Sequence, residues 1–220
     1  MDELNIVNGL HTATERDYLD RVNSVDKAWA AEKALNWGYD YWDGSRQTGY
    51  GGYKYDGRWR TVADQLIEKY RLKNGAKILD VGCGKGFLLH DLKSQNPEIE
   101  VTGIDISVYA LENAMETVKD NCHLGCASKL PFNDDAFDLV ISINTLHNLG
   151  ASKLWAALGE LVRVSKSQQF VCVESFRNEK EKVNLMYWQL TCRTFHTPKE
   201  WQHIFNITDY KGDFEFIYFE

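Results

Sequence analysis

The chain has 220 residues, long enough for one well-filled core. Its formal net charge of −7 argues against a nucleic-acid surface. No apolar run approaches the roughly 18 residues of a membrane span, which argues against a transmembrane segment.

The N-terminal MDELNIVNGL is acidic and lacks a basic stretch followed by an apolar one, so no secretory signal is expected. Residues 1–35 read as helical and polar, with a helix over Asp26 to Leu35 built from strong helix formers. Residues 36–60 differ. Three Trp, five Tyr and six Gly fall between Trp37 and Trp59, too much aromatic area for a flexible linker. Residues 1–60 therefore read as a helical and aromatic cap belonging to the same domain as residues 61–220. Thr61 and Asp64 stand at capping-box spacing, and Val62, Leu66, Ile67 and Tyr70 give the following helix an apolar stripe.

From Ala76 the period changes to strand, then helix, repeated. Strands are expected over 77–81, 101–105, 137–142, 169–174 and 214–219. Helices are expected over 87–93, 108–120 and 154–164, with a late one opened by Thr197-Pro198-Lys199-Glu200. This alternation predicts a parallel sheet covered on both faces.

The segment Ile78-Leu79-Asp80-Val81-Gly82-Cys83-Gly84-Lys85-Gly86-Phe87 ends a strand and opens a helix. Glycines there let the backbone turn sharply and approach a ligand, and free amides at the helix start favour an electronegative group. A P-loop would need Gly-Lys-Ser/Thr, which Gly84-Lys85-Gly86 does not supply. A dinucleotide fold would need G-x-G-x-x-G, whereas this chain has G-x-G-x-G. An adenosylmethionine loop fits the closer spacing. Asp105 ends the next strand 19 residues past Gly86, where a carboxylate can accept both ribose hydroxyls.

These residues resemble the class I S-adenosylmethionine-dependent methyltransferases of small-molecule type, over roughly residues 76–176. Asp80 to Gly86 looks like the family's first motif, Gly103-Ile104-Asp105-Ile106-Ser107 like its ribose motif, and Leu130-Pro131-Phe132 through Val140 like the segment entering the fourth strand. The resemblance implies a Rossmann-like, doubly wound α/β sheet of seven strands with the last antiparallel. It implies S-adenosylmethionine as cofactor, held by Asp80, Gly82, Gly84 and Asp105, with Ile106 on the adenine, Ala127 and Ser128 at the adenine edge and Asn144 beside the methionine end. Many relatives carry an acidic residue where this chain has Cys126, a poor acceptor for the adenine amino group.

Methyl transfer is an in-line displacement that leans on alignment, with a base needed only where the nucleophile must lose a proton. His147, after the fourth strand, is the expected base or orienting group. Glu174 ends the fifth strand and is expected at the substrate, with Tyr50, Tyr53 and Arg58 of the aromatic segment. Arg46, Lys54, Arg58 and Arg60 would suit a carboxylate or phosphate on the substrate, or the methionine carboxylate. The glycines of that segment would serve as hinges of a lid. Cys122-His123-x-x-Cys126 lacks a fourth zinc ligand, so no metal is expected. The five cysteines read as reduced thiols of a cytoplasmic protein. The expected acceptor is a small molecule with an O or N nucleophile, without nucleic acid or membrane as partner, and a homodimer is compatible. A protein or nucleic-acid methyltransferase, or a non-catalytic methyltransferase-like subunit, is the alternative.

Overall fold

A computed structural model describes residues 1–13 and 15–220; of the segment expected to be helical, residue 14 lies outside the described residues. The centre is one six-stranded sheet of β1 (Lys77–Val81), β2 (Glu100–Asp105), β3 (Cys122–Leu124), β4 (Phe137–Ile143), β5 (Ser165–Glu174) and β6 (Asp213–Ile217), in the order β3-β2-β1-β4-β5-β6. Every pairing is parallel. The order reverses between β1 and β4, so the crevice at the carboxyl ends of these strands is where an open α/β sheet holds its ligand.

The expectation of seven strands with the last antiparallel is corrected. A helix crosses from β5 back to the start of β6, so β6 runs parallel to it. The outer edge of β6 meets the N-terminus: Leu4 N–H donates to Phe214 O at 2.8 Å and Phe214 N–H to Asp2 O at 3.0 Å. A short N-terminal segment thus covers the free edge of the sheet.

Ten helices are described: α1 (Asn8–Thr12), α2 (Tyr18–Asn23), α3 (Lys27–Ala34), α4 (Tyr39–Trp42), α5 (Arg60–Tyr70), α6 (Phe87–Gln95), α7 (Val108–Glu112), α8 (Ala151–Val164), α9 (Glu179–Trp188) and α10 (Pro198–Ile207). The stripe Val62, Leu66 and Tyr70 of α5 packs with Leu88, Leu89 and Leu92 of α6 on one sheet face. Leu154, Leu158 and Leu161 of α8 pack with Trp201 and Phe205 of α10 on the other. No described helix is long and apolar enough to cross a membrane.

Several boundaries differ from the sequence reading. The helix expected over 108–120 stops at Glu112, and a turn and a 3-10 helix lead from it into β3, which has only three residues and little pattern to detect. Helix α5 begins at Arg60 after Trp59 and has no side-chain cap, so Thr61 sits inside it rather than capping it. Asp26 does cap α3, and Thr197 with Glu200 forms a complete capping box on α10.

The cap is tied to the sheet by buried polar groups. Glu215 of β6 is 2% exposed, and its carboxylate accepts from the Ile6, Val7 and Asn8 amides at the start of α1. A carboxylate there answers the helix's free N–H groups and its dipole. Lys85, in the glycine loop and 5% exposed, donates to both carboxylate oxygens of Asp43 at 2.8 and 2.6 Å and to Tyr53 O at 2.9 Å. Tyr109 donates to the same carboxylate at 2.9 Å. Burial opposes the charge on Asp43, but the Lys85 and Tyr109 hydrogen bonds outweigh it and hold the carboxyl below its ordinary range. Lys85 is therefore a tether between loop and cap.

Candidate active site

The glycine loop leaves β1 through three left-handed positions, Gly82 (φ +90°), Gly84 (φ +55°) and Gly86 (φ +70°). At Gly82 a Cβ would lie 1.9 Å from Thr145 Oγ1, and at Gly84 it would lie 2.7 Å from the Trp42 ring. Both the backbone conformation and the space demand glycine. Trp42 reaches this loop because its indole N–H donates to Ser107 Oγ at 2.9 Å and to Trp37 O at 3.1 Å.

The loop borders a cavity of about 540 Å³ at the carboxyl ends of β1, β2 and β4, within the usual range for a cofactor or ligand site. Asp80, Gly82, Gly84, Asp105, Ile106, Ala127 and Asn144 line it, together with Cys126. Asp105 is 8% exposed, and its carboxylate accepts from the Gly84 amide and the Ser107 amide, each at 2.7 Å. Burial raises its pKa, and those amide bonds pull it back down. Asp80 is pushed up to about 7, first by burial and then by the charge of Asp105. Ile106 is 55% exposed beside the cavity, an apolar surface open to a flat ring. Ser128 does not line it; its hydroxyl pairs with Cys126 Sγ at 3.1 Å. Lys153 and Arg193, neither singled out from the sequence, are the cations of this cavity.

A second chamber of about 390 Å³ adjoins the first. Tyr41, Tyr50, Tyr53, Phe87, Asn144 and Asn148 line both. The aromatic segment supplies much of this shared wall: Tyr53 stacks on Phe87 with centroids 4.8 Å apart, and Tyr50 stacks on Trp42 at 5.6 Å. The rings pack on the loop and on one another. Asn144 holds a left-handed conformation at φ +56°, uncommon for a residue other than glycine.

At the floor of the second chamber lie His147 and Glu174, 2% and 4% exposed. The Glu174 amide donates to His147 Nδ1 at 3.2 Å, and His147 Nε2 lies 3.4 Å from Glu174 Oε2. With Nδ1 accepting, the neutral ring carries its proton on Nε2 and has no lone pair left for a substrate proton. Burial lowers the His147 pKa to about 3. Glu174 moves the other way, up to about 8, chiefly through burial, while a hydrogen bond from Gln189 and the Arg16 charge oppose the rise. Among the described residues, Glu174 Oε2, Asn144 Oδ1 and Asn148 Oδ1 are buried acceptors with no hydrogen-bond partner. Three such acceptors around adjoining cavities suit a ligand that brings donors.

Arg58 also lines the second chamber, at its exposed edge. It is exposed and bound to Asp56, with Nη2 2.5 Å from Oδ2, at the rim of the chamber. The sequence reading missed Arg16 and Arg21, which line the same chamber from the segment before α2 and from α2; Trp188 of α9, in a stretch expected to border the pocket, lines it as well. No motif marked the two arginines, because Arg16 sits in an irregular segment and Arg21 in a short polar helix.

A family model described as a methyltransferase domain matches residues 72–212. The chain is 37% identical over 128 residues to an uncharacterized methyltransferase of Schizosaccharomyces pombe, covering 52% of this chain and 45% of the relative. It is 31% identical over 137 residues to 24-methylenesterol C-methyltransferase 3 of Arabidopsis thaliana, covering 56% and 37%. The relatives also include ribosomal RNA small subunit methyltransferase C of Haemophilus influenzae. The chain spans less than half the length of these curated relatives. Among solved structures, a chain of the complex between the Haloferax volcanii Trm112 methyltransferase activator and its methyltransferase shares the fold, with a TM-score of 0.58 at 20% identity over 89% of this chain and 77% of that one. The chain belongs to the class I S-adenosylmethionine-dependent methyltransferases, and S-adenosylmethionine is its cofactor.

The first cavity fits that cofactor. It offers Asp105 at a strand end, two glycines whose Cβ atoms would clash with neighbouring side chains, an exposed Ile106 and the unpartnered Asn144 Oδ1.

Proposed function

We propose that this methyltransferase acts on a small molecule, methylating an oxygen or nitrogen held in the second chamber. The observation that carries the reading is the shared wall: two unpartnered amide oxygens, Asn144 Oδ1 and Asn148 Oδ1, stand where the two cavities adjoin, and the buried Glu174 carboxylate lines the second chamber beyond them. Asp105, Gly82, Gly84, Ile106 and Ala127 would hold the cofactor, which supplies an electrophilic methyl on sulfur. Asn144, facing both cavities, would fix the methionine end relative to the acceptor.

Glu174 would receive the proton that the acceptor loses as its oxygen or nitrogen bonds to the methyl carbon. A carboxylate with a pKa of about 8 is a stronger base than an ordinary glutamate and is matched to neutral pH. His147, with Nε2 3.4 Å from Oε2 but making no hydrogen bond to it, would pack against that carboxylate instead of acting as the base itself. Tyr50 and Tyr53 would cover the acceptor and exclude water, so the aromatic segment serves as a lid. The chamber, walled in part by packed rings and about 390 Å³ in volume, suits a compact molecule better than a folded RNA or protein surface.

Two measurements test this reading. Calorimetry with S-adenosylhomocysteine should show one site per chain, and no binding would remove the assignment. Incubation of cell extract with methyl-labelled S-adenosylmethionine and the protein should place label in the small-molecule fraction. Label confined to ribosomal RNA or protein would overturn the choice of acceptor.

A further inference from the structure

The second chamber has a wall that proton transfer does not require. The guanidiniums of Arg16, Arg21 and Arg46 lie 5.3, 5.4 and 5.3 Å from the centroid of one indole, Trp188. All four side chains line the chamber. Each distance is within cation–π range, so the indole face gathers three like charges. They come from separate places: the segment before α2, α2 itself, and the loop after α4. Arg16 and Arg21 are half-buried and Arg46 is exposed at the rim.

The hydrogen bonds of Arg21 and Arg46 run to backbone carbonyls, which aim these side chains without neutralising them. Arg21 Nε donates to Trp188 O at 3.3 Å and its Nη1 to Arg46 O at 2.5 Å. Arg46 Nη1 donates to Tyr50 O at 2.9 Å, and Arg16 Nη1 to His11 O at 3.0 Å. Among the described residues, neither Arg21 nor Arg46 forms an ion pair with a carboxylate. Arg58, Arg163 and Arg177 each do. Burial and the Arg46 charge both make Arg21 a weaker holder of its proton. The nearby His11 is lowered to about 4 by burial and by Arg16, so it is neutral at pH 7 and adds no charge. A protein of net charge −7 thus concentrates positive charge at one wall of a cavity.

We infer that this wall binds an oxyanion, a carboxylate or phosphate group, carried by the methyl acceptor, and so turns the acceptor's nucleophile toward Glu174. The inference rests on the reading of the second chamber as the acceptor site. Guanidinium forks match both groups, and a cluster of them gives direction as well as charge. The cofactor's own carboxylate is not the intended ligand: Arg16, Arg21 and Arg46 do not line the first cavity, which has Lys153 and Arg193.

The test uses the full chain saturated with S-adenosylhomocysteine. Inorganic pyrophosphate and citrate are titrated separately by calorimetry into the wild type, the Arg21→Gln/Arg46→Gln double variant and the single Arg46→Gln variant. The wild type should bind at least one anion. The double variant should lose roughly tenfold or more, as expected for removing charge-assisted hydrogen bonds, while S-adenosylhomocysteine affinity stays within about twofold. Tighter pyrophosphate binding selects a phosphate-bearing acceptor, and tighter citrate binding a carboxylate-bearing one. Arg46 is exposed, so its single variant reads the effect even where the double variant is unstable. Anion binding that is absent in the wild type, unchanged in the variants, or lost in parallel with S-adenosylhomocysteine overturns this inference alone. Absence of S-adenosylhomocysteine binding overturns the methyl-transfer reading and this inference with it.

Discussion

The two cavities are built in opposite ways. The first is organised around backbone amides and the strand-end carboxylate of Asp105, with Asp80, Asn144, Lys153 and Arg193 added at its walls. Gly84 and Ser107 both donate to Asp105, and glycine φ values set the loop. The second is assembled from side chains scattered between His11 and Phe219, and its charges are held by bonds between distant segments, such as Arg21 to Trp188. A site made of backbone can be shared across a family whose side chains diverge, whereas a site made of side chains can change with each acceptor. That difference matches relatives that share this domain yet carry names as different as sterol and ribosomal RNA methyltransferase.

The comparison can be broken at Glu174. Glu174→Gln should lower the single-turnover rate by about 10²–10⁴-fold while S-adenosylhomocysteine affinity is retained. A variant at full rate would show that the second chamber contributes no base. The wild-type rate should rise with pH through about 8 as the carboxyl ionises, and the variant should lose that limb. Stability carries the opposite sign. The folded pKa lies above the ordinary value of 4.5, so the folded state keeps the proton longer, and unfolding free energy should fall as pH rises from 4.5 to 8. Denaturant titrations at several pH values should show a flatter dependence in Glu174→Gln.

The join between the halves is tested at Lys85. Lys85→Met leaves Asp43 without its cation and should cost about 3 kcal/mol by urea titration, since the pair is nearly buried. Little loss would mean that the rings alone hold the cap. The backbone-built half is sharpened by Asp105→Ala, which should weaken S-adenosylhomocysteine binding by roughly tenfold to a hundredfold in calorimetry. The smallest effect is expected at Arg58→Ala. Its pair with Asp56 is about half exposed on both sides, so stability should change by about 0.5 kcal/mol or less and activity should hold. A large loss of activity there would return Arg58 to the acceptor site.

Much of the first cavity was legible in the sequence because its causes are local. Gly82, Gly84 and Asp105 fall at strand ends fixed by apolar runs, and their spacing separates this loop from phosphate-binding ones. Ser128 does not line this cavity, and its hydroxyl pairs with Cys126, whose side chain does. The parallel direction of β6 was not legible, because a short apolar strand reads alike in either direction and only the α10 crossover sets it. His147 and Glu174 were both noticed, but their roles depend on which ring nitrogen accepts the Glu174 amide, a fact of packing.

The sequence by itself determined the sheet's strands apart from β3, the glycine loop, the acid at the end of β2 and the presence of an aromatic cap, since each follows from residue type and local spacing. Only the tertiary structure decided that Lys85 ties the loop to that cap, that Arg58 faces solvent, and that Arg16, Arg21 and Arg46 meet at Trp188. Those outcomes depend on burial and on contacts between distant segments, more than a hundred positions apart for the arginines and Trp188, which no local pattern encodes.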